Sequence, residues 1–308
     1  MKEENSMATC YNRLPKISYV KPKSLAEAVD FLVKEGTGKC CAYAGGTDVV
    51  PRLKQRTFNL PGQIAVMPSI LLDLKGIPDL DYITFDSKTG LSIGALASIR
   101  SVSKSSVVKE NYPLLSYAAG SIASFQVQNR GTIVGNICNA SPSADSAPSL
   151  LCLNAELDCI GKDGERTIGI TDFFVGPGQT ALFPGEIVRE IRVPPMPENS
   201  HGVYIKLSMR KRMDCAVAGA AAIVVMEKGI CKDVRIGLGA VAPTPIRATV
   251  AEQFLKGKPV NETDMNKAGE LAADGASPID DQRASADYRK MIIPILVQRV
   301  LRQAIAGI

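Results

Sequence analysis

Apolar residues recur at helical spacing at Leu25, Ala28, Val29, Leu32 and Val33, which predicts a helix from Ser24 to Gly36. Ser24 and Glu27 supply a capping box and Gly36 a stop. The unbroken apolar run Cys40 to Ala44 predicts a buried strand leading straight into Gly45-Gly46-Thr47-Asp48, and the run Gln63 to Met67 predicts the next strand. Tyr82 to Phe85 and Leu91 to Ala95, joined by Asp86-Ser87-Lys88-Thr89-Gly90, predict a hairpin. Pro113 to Ala123 reads as a helix. From Gln126 to Asp145 the chain is dense in Asn, Gly, Ser, Thr and Pro but poor in charge, and a non-helical loop is predicted there. Such a loop satisfies its backbone groups by packing on itself or on a ligand. Ser149 to Ala155 reads as a helix end, and strands are predicted on both sides of Lys162-Asp163-Gly164.

The pattern changes at Phe183-Pro184-Gly185-Glu186, which divides the chain into residues 1–183 and 184–308. Ile187 to Val193, Val203 to Leu207, Ala216 to Val225 and Val234 to Leu238 are predicted as successive strands of one antiparallel sheet. Helices follow: one opened by a capping box of Thr249 and Glu252 and stopped by Gly257, and a last amphipathic one from about Ala286 to Ala304. Strands first and helices after give the α+β order.

The 308 residues suit two domains. With 45% hydrophobic and 22% charged residues, a disordered chain is excluded. The longest near-apolar stretch, Ala216 to Met226, falls short of the about 20 residues that cross a bilayer. The first residues lack a signal-peptide core, so a cytoplasmic protein is expected, with no membrane contact. A net charge of +5 is weak for this length, and its densest cluster, Arg210-Lys211-Arg212, reads as solvated surface or an anion contact, so no nucleic acid is expected. No two of the eight cysteines have C-x-x-C spacing, and reduced thiols and no metal are expected. The one histidine, His201, is expected in a loop.

Two glycine-rich segments are candidates for a phosphate. Ala44-Gly45-Gly46-Thr47-Asp48 follows a strand, and its glycines allow close backbone approach while consecutive N–H groups form an anion nest. Asn129-Arg130-Gly131-Thr132-Ile133-Val134-Gly135-Asn136, with Asn139 to Asp145, offers hydroxyl, amide and carboxylate groups in close succession. Gly176-x-Gly178-x-x-Ala181 and Gly237-x-Gly239-x-x-Ala242 match the dinucleotide fingerprint in letters, but neither is expected to open a helix. There is no G-x-S-x-G elbow, so an organic cofactor is the expected carrier of any reaction.

These two segments, in order with Phe173 to Glu186, Tyr204-x-Lys206, Arg210, Asp214 and Ala242-Pro243-Thr244-Pro245-Ile246-Arg247, resemble the FAD-binding medium subunit of the molybdenum hydroxylases over nearly the whole chain. The look is nearest to bacterial three-subunit xanthine dehydrogenases. The resemblance implies the vanillyl-alcohol oxidase and murein reductase type of fold, with two α/β subdomains divided near residue 65 holding FAD, then a C-terminal α+β domain. It implies that Ala44, Gly45, Gly46, Thr47, Asp48 and Val49 wrap the FAD pyrophosphate. Thr132, Gly135, Asn136, Asn139 and Asp145 would hold the ribityl and phosphate portion. Lys206 and Asp214 would lie at the isoalloxazine, near the docking place of the final acceptor. Val134 stands where the family commonly has glycine and would narrow the FAD path. The implied partners are a large subunit with the molybdopterin cofactor and a small subunit with 2Fe–2S clusters, as a dimer of heterotrimers. Electrons would run from xanthine or hypoxanthine through the clusters to FAD and on to NAD+. A self-contained FAD oxidase of the same fold and a flavin-free scaffold are the competing readings.

Overall fold

The structure is a computed structural model and describes residues 14–36, 38–55 and 67–308. Its first sheet is parallel: Ile70–Asp73 runs between Ser18–Val20 and Cys40–Tyr43. The helix Leu25–Glu35 precedes Cys40–Tyr43, as the apolar spacing predicts. The Ser24 hydroxyl accepts the Glu27 N–H at 3.2 Å, whereas the Glu27 carboxylate accepts from Lys23 rather than Ser24, so the returning arm lands one residue early. Gly36, at φ 78°, ends the helix in a backbone region that suits glycine. Ala28 and Val29 pack with Leu72, Leu74, Ile77, Leu80 and Ile187. Residues 63–66 of the predicted strand Gln63 to Met67, and the predicted subdomain division near 65, lie outside the described residues.

The second sheet has five antiparallel strands in the order Ile83–Asp86, Gly90–Gly94, Ile187–Val193, Glu156–Gly161, Gly164–Gly169. The predicted hairpin at Tyr82 to Ala95 is present, and the two strands predicted around Lys162-Asp163-Gly164 pair with each other. Ile187–Val193 is a correction to the predicted strand sequence. It does not start the C-terminal sheet but lies between Gly90–Gly94 and Glu156–Gly161, with Ile191 opposite both Ile93 and Leu157. The change of sheet falls between Val193 and Ser200, later than the division expected near Phe183. Pro184-Gly185 makes only a tight turn, closed by Glu186 N–H to Phe183 O at 3.0 Å. It is Pro194, Pro195 and Pro197 that end strand pairing, because proline has no N–H to donate.

The segment Gln126 to Asp145, predicted as non-helical, contains two short helices, Phe125–Gln128 and Ile133–Cys138. Its polar residues are caps. Ser124 Oγ accepts the Val127 N–H at 3.3 Å, and Thr132 Oγ1 accepts the Gly135 N–H at 2.9 Å. Ala140, at φ 46°, then turns the chain toward the helix Ser146–Cys152.

The C-terminal sheet is antiparallel, in the order Ser200–Leu207, Ala218–Glu227, Ile230–Gly239, Ile246–Arg247. The helices Thr249–Leu255, Glu262–Asp274 and Ala286–Ala306 follow, and they share one buried cluster with this sheet. The predicted capping box at Thr249 is absent. The Glu252 carboxylate is buried and holds the Arg247 guanidinium at 2.6 and 2.9 Å and the Ile236 N–H at 2.8 Å. The capping box lies at Asn261 and Asp264 instead. His201 is not in a loop: it pairs with Val224 across two strands. Tyr204, Ala221 and Ile223 reach into the core of the preceding region, so the two regions share buried contacts. Among the described residues no helix is long and apolar enough to cross a membrane.

A glycine-lined cavity beside a buried charge pair

The two glycine-rich segments do not compete for a ligand; they meet. A Cβ on Gly45 would lie 1.9 Å from the Arg130 carbonyl oxygen, and one on Gly131 would lie 3.2 Å from the Thr47 hydroxyl. Only glycine permits that approach. Together they line a cavity of about 490 Å³, within the usual range for a small-molecule site. Of the predicted cofactor residues, Ala44, Gly45, Gly46, Thr47, Asp48, Val49, Thr132, Gly135, Asn136 and Asn139 all line it. Val134 lines it too, as a buried side chain. The Thr132 hydroxyl and Gly135 N–H are bonded to each other, so their first task is to cap the helix Ile133–Cys138. Asn136 Oδ1 accepts from the Ser146 hydroxyl at 2.7 Å, which fixes its amide.

Asp145, Lys206 and Asp214 are not among the residues that line this cavity. They form a separate cluster. Asp145 does not cap the helix that follows it. Its carboxylate accepts the Tyr204 hydroxyl at 2.9 Å and the Lys206 ammonium at 2.8 Å. Lys206 also donates to the carbonyls of Ser121 at 3.2 Å and Asp214 at 2.8 Å, so all three of its protons have acceptors. Lys206 therefore meets the backbone of Asp214, and the Asp214 carboxylate faces Arg210. Burial pushes the Asp145 carboxyl up, against the pull of Lys206 and Tyr204. Burial and the Asp145 carboxylate raise the Tyr204 phenol well above its ordinary value. Although desolvation opposes it, the Arg210 N–H and guanidinium hold Asp214 below the usual carboxylate range.

Sequence reasoning missed several cavity residues. Arg52 stands one turn into the helix Val49–Gln55, and its charge opposes the burial that pushes the Asp48 carboxyl up. Gly178 arrives through a bond from its N–H to the Ala140 carbonyl at 2.9 Å. Its signal was the Gly176-x-Gly178 match, whose letters point to a helix that is absent. Glu186 is oriented by the Arg166 fork at 2.7 and 2.8 Å, a pairing across 20 residues that no local pattern announces.

Residues 15–196 match the FAD binding domain in molybdopterin dehydrogenase, and residues 203–304 match the CO dehydrogenase flavoprotein C-terminal domain. The chain belongs to the FAD-binding medium-subunit family of the molybdenum hydroxylases. It is 32% identical over 289 residues to the glyceraldehyde dehydrogenase medium chain of Sulfolobus acidocaldarius, covering 94% of this chain and 98% of that one. It is 31% identical over 291 residues to the xanthine dehydrogenase FAD-binding subunit of Escherichia coli O157:H7, covering 94% and 96%. Among solved structures, a chain of the carbon monoxide dehydrogenase from Hydrogenophaga pseudoflava superimposes with a TM-score of 0.89 at 34% identity, over 96% of this chain and 99% of that chain.

FAD is the cofactor of this chain, and the cavity fits it. The N–H groups of Gly45, Gly46, Thr47 and Asp48 donate to no acceptor among the described residues, so a run of backbone donors remains for an anion. Leu74, Ile99, Ile122, Val127 and Leu182 give the remaining lining an apolar character suited to a flat ring system.

Proposed function

We propose that this chain is the electron-transfer flavin subunit of a three-subunit, cytoplasmic xanthine dehydrogenase. Xanthine or hypoxanthine is oxidised at a molybdopterin cofactor on a large subunit. Electrons cross 2Fe–2S clusters on a small subunit and leave through this chain to NAD+, in a dimer of heterotrimers. When bound, FAD supplies the two-electron chemistry that connects the one-electron clusters to NAD+. This chain's residues bind and orient. The Gly45 to Asp48 donors take the pyrophosphate. Thr132, Gly135, Asn136 and Asn139 support the ribityl and phosphate portion. The Asp145, Lys206 and Asp214 cluster stands outside the cavity lining and adds a weak, largely cancelled field to the ring system.

The meeting of the Gly45-Gly46 loop with Arg130-Gly131 around one cavity carries this reading. Among the described residues no cluster of catalytic side chains lines that cavity, which favours a flavin carrier over a self-contained oxidase. Expression with the neighbouring genes tests the reading. A yellow complex with a large and a small subunit is expected, whose flavin absorbance bleaches with xanthine or hypoxanthine and returns with NAD+. Bleaching by an aldehyde or carbon monoxide but not by a purine would overturn the substrate assignment. A purified chain without flavin would overturn the whole reading.

A further inference from the structure

The glycine loop is held from behind by side chains that do not line the cavity. Tyr43 and Asp73 are register partners at the ends of adjacent parallel strands. The glycine loop after Tyr43 and the short 3-10 turn Leu74–Gly76 after Asp73 therefore leave the sheet side by side. Asp73 is 1% exposed, and both of its carboxylate oxygens are engaged. One accepts the Tyr19 hydroxyl. The other accepts the Lys75 N–H at 3.1 Å and the Lys75 ammonium at 2.5 Å. So anchored, the ammonium donates to the Ala44 carbonyl at 2.8 Å and lies 3.9 Å from the centre of the Tyr43 ring. That ring occupies the space of a Gly46 side chain, since a Cβ there would fall 2.3 Å from it.

We propose that Lys75 is a positioning residue for the pyrophosphate loop, an ammonium that fixes the Ala44 peptide so that the donors of Gly45 to Asp48 are preset for an anion. The inference rests on the reading of Ala44 to Val49 as the pyrophosphate cradle. In a trans peptide the C=O and N–H point in opposite directions. With the Ala44 oxygen held on Lys75, the Gly45 N–H points away from it. Asp73 largely cancels the Lys75 charge, so the effect is one of geometry. Without the ammonium the ligand itself has to order the loop, and that cost appears as lost affinity.

The test uses the full chain stripped of flavin and titrated with three probes. FAD carries both halves, ADP carries a pyrophosphate without the flavin, and riboflavin carries the flavin without phosphate. Lys75→Met is expected to lower FAD and ADP affinity by about tenfold, the scale of one charge-assisted hydrogen bond. Riboflavin affinity is expected to stay near wild type, while the melting temperature of the flavin-free chain falls because the buried Asp73 carboxylate loses a partner. Unchanged FAD affinity, or equal losses for ADP and riboflavin, would overturn the inference. Should Lys75→Met not fold, Lys75→Gln repeats the comparison with an expected loss of about threefold for FAD and ADP; no loss overturns the inference. Gly46→Val separates the two layers. If it retains FAD, the cradle reading fails; if it loses FAD while Lys75→Met keeps it, the inference about Lys75 alone fails.

Discussion

The cradle at Gly45 to Asp48 and the cluster at Asp145 and Lys206 lie in neighbouring parts of the molecule but are built in opposite ways. The cradle is backbone: glycines at close approach, free N–H groups, and support from behind the loop. The cluster is side chain: a carboxylate with 6% side-chain exposure and an ammonium with 9%, joining residues 61 apart. A backbone site tolerates no added volume and depends on whatever holds its loop in place. A buried ion pair tolerates changes of shape but not the loss of one partner. Each substitution below damages one type of construction and should spare the other.

Gly46→Val should have the largest effect. Gly46 sits at φ 72°, where a branched side chain is strained, and the Tyr43 ring fills the place its Cβ needs. Flavin retention is expected to be lost, as read from flavin absorbance per chain in the purified protein. Normal flavin content in a folded Gly46→Val chain would sink the cradle assignment. Next comes Asp145→Ala, which leaves the Lys206 ammonium buried against two carbonyls. It is expected to cost about 3–5 kcal/mol of stability. Because Asp145 does not line the cavity, melting temperatures with and without FAD should fall together. The double variant Asp145→Ala with Lys206→Met should recover a substantial part of the loss. If Asp145→Ala instead lowers only the FAD-bound melting temperature, Asp145 contacts the flavin and the separation of the two regions is wrong.

The same contrast decides how much was legible in the sequence. Gly45-Gly46 and Gly131 are visible because a glycine needed for close approach stands in the chain as a letter, next to the strand or cap that uses it. The helices Phe125–Gln128 and Ile133–Cys138 were hidden because Ser124 and Thr132 serve as caps, and a cap is written in the same residues as a loop. Glu252 was misread for a related reason. Its spacing from Thr249 satisfies the capping pattern, but Arg247 and the Ile236 N–H, brought in by the sheet, claim its carboxylate. The strand Ile187–Val193 carries a strand pattern, but nothing local states which sheet it joins. Asp145, Lys206 and Lys75 act through partners made by tertiary folding, so their residue types were visible and their contacts were not.

A smaller effect is expected from pH. Burial pushes the Asp73 carboxyl up, but its bonds from Lys75 and Tyr19 prevail and hold it below the ordinary carboxylate value. A group with a lowered folded pKa contributes stability that is fully present above its unfolded value, about 3.9, and is lost as pH falls through the folded value. The melting-temperature gap between wild type and Asp73→Asn should therefore be constant above about pH 5 and shrink on acidification below about pH 4. FAD affinity should decline over the same acid range as the Lys75 clamp loosens. A gap that widens toward acid would contradict the sign.

The smallest effect expected is on the flavin potential. A lone charge acts on a nearby redox group by Coulomb's law, but a charge beside its partner acts only as a dipole. Lys206 has Asp145 at 2.8 Å, and Asp214 has the Arg210 guanidinium at 3.7 Å, so each field is largely cancelled. Lys206→Ala removes a positive charge and should lower the potential; Asp214→Ala removes a negative one and should raise it. The Lys206 shift should be the larger, on the order of 10–30 mV for a two-electron couple, or about 0.5–1.4 kcal/mol. The Asp214 shift should be near 10 mV and fall further with salt, because Arg210 is 72% exposed and its surroundings are screened. Spectroelectrochemical titration reads both. Substrate oxidation with a dye that takes electrons before the flavin should be unchanged in either variant. Shifts of the same sign would show that the substitutions act by reshaping the cavity, and shifts under about 10 mV in both would remove Lys206 and Asp214 from any role at the isoalloxazine.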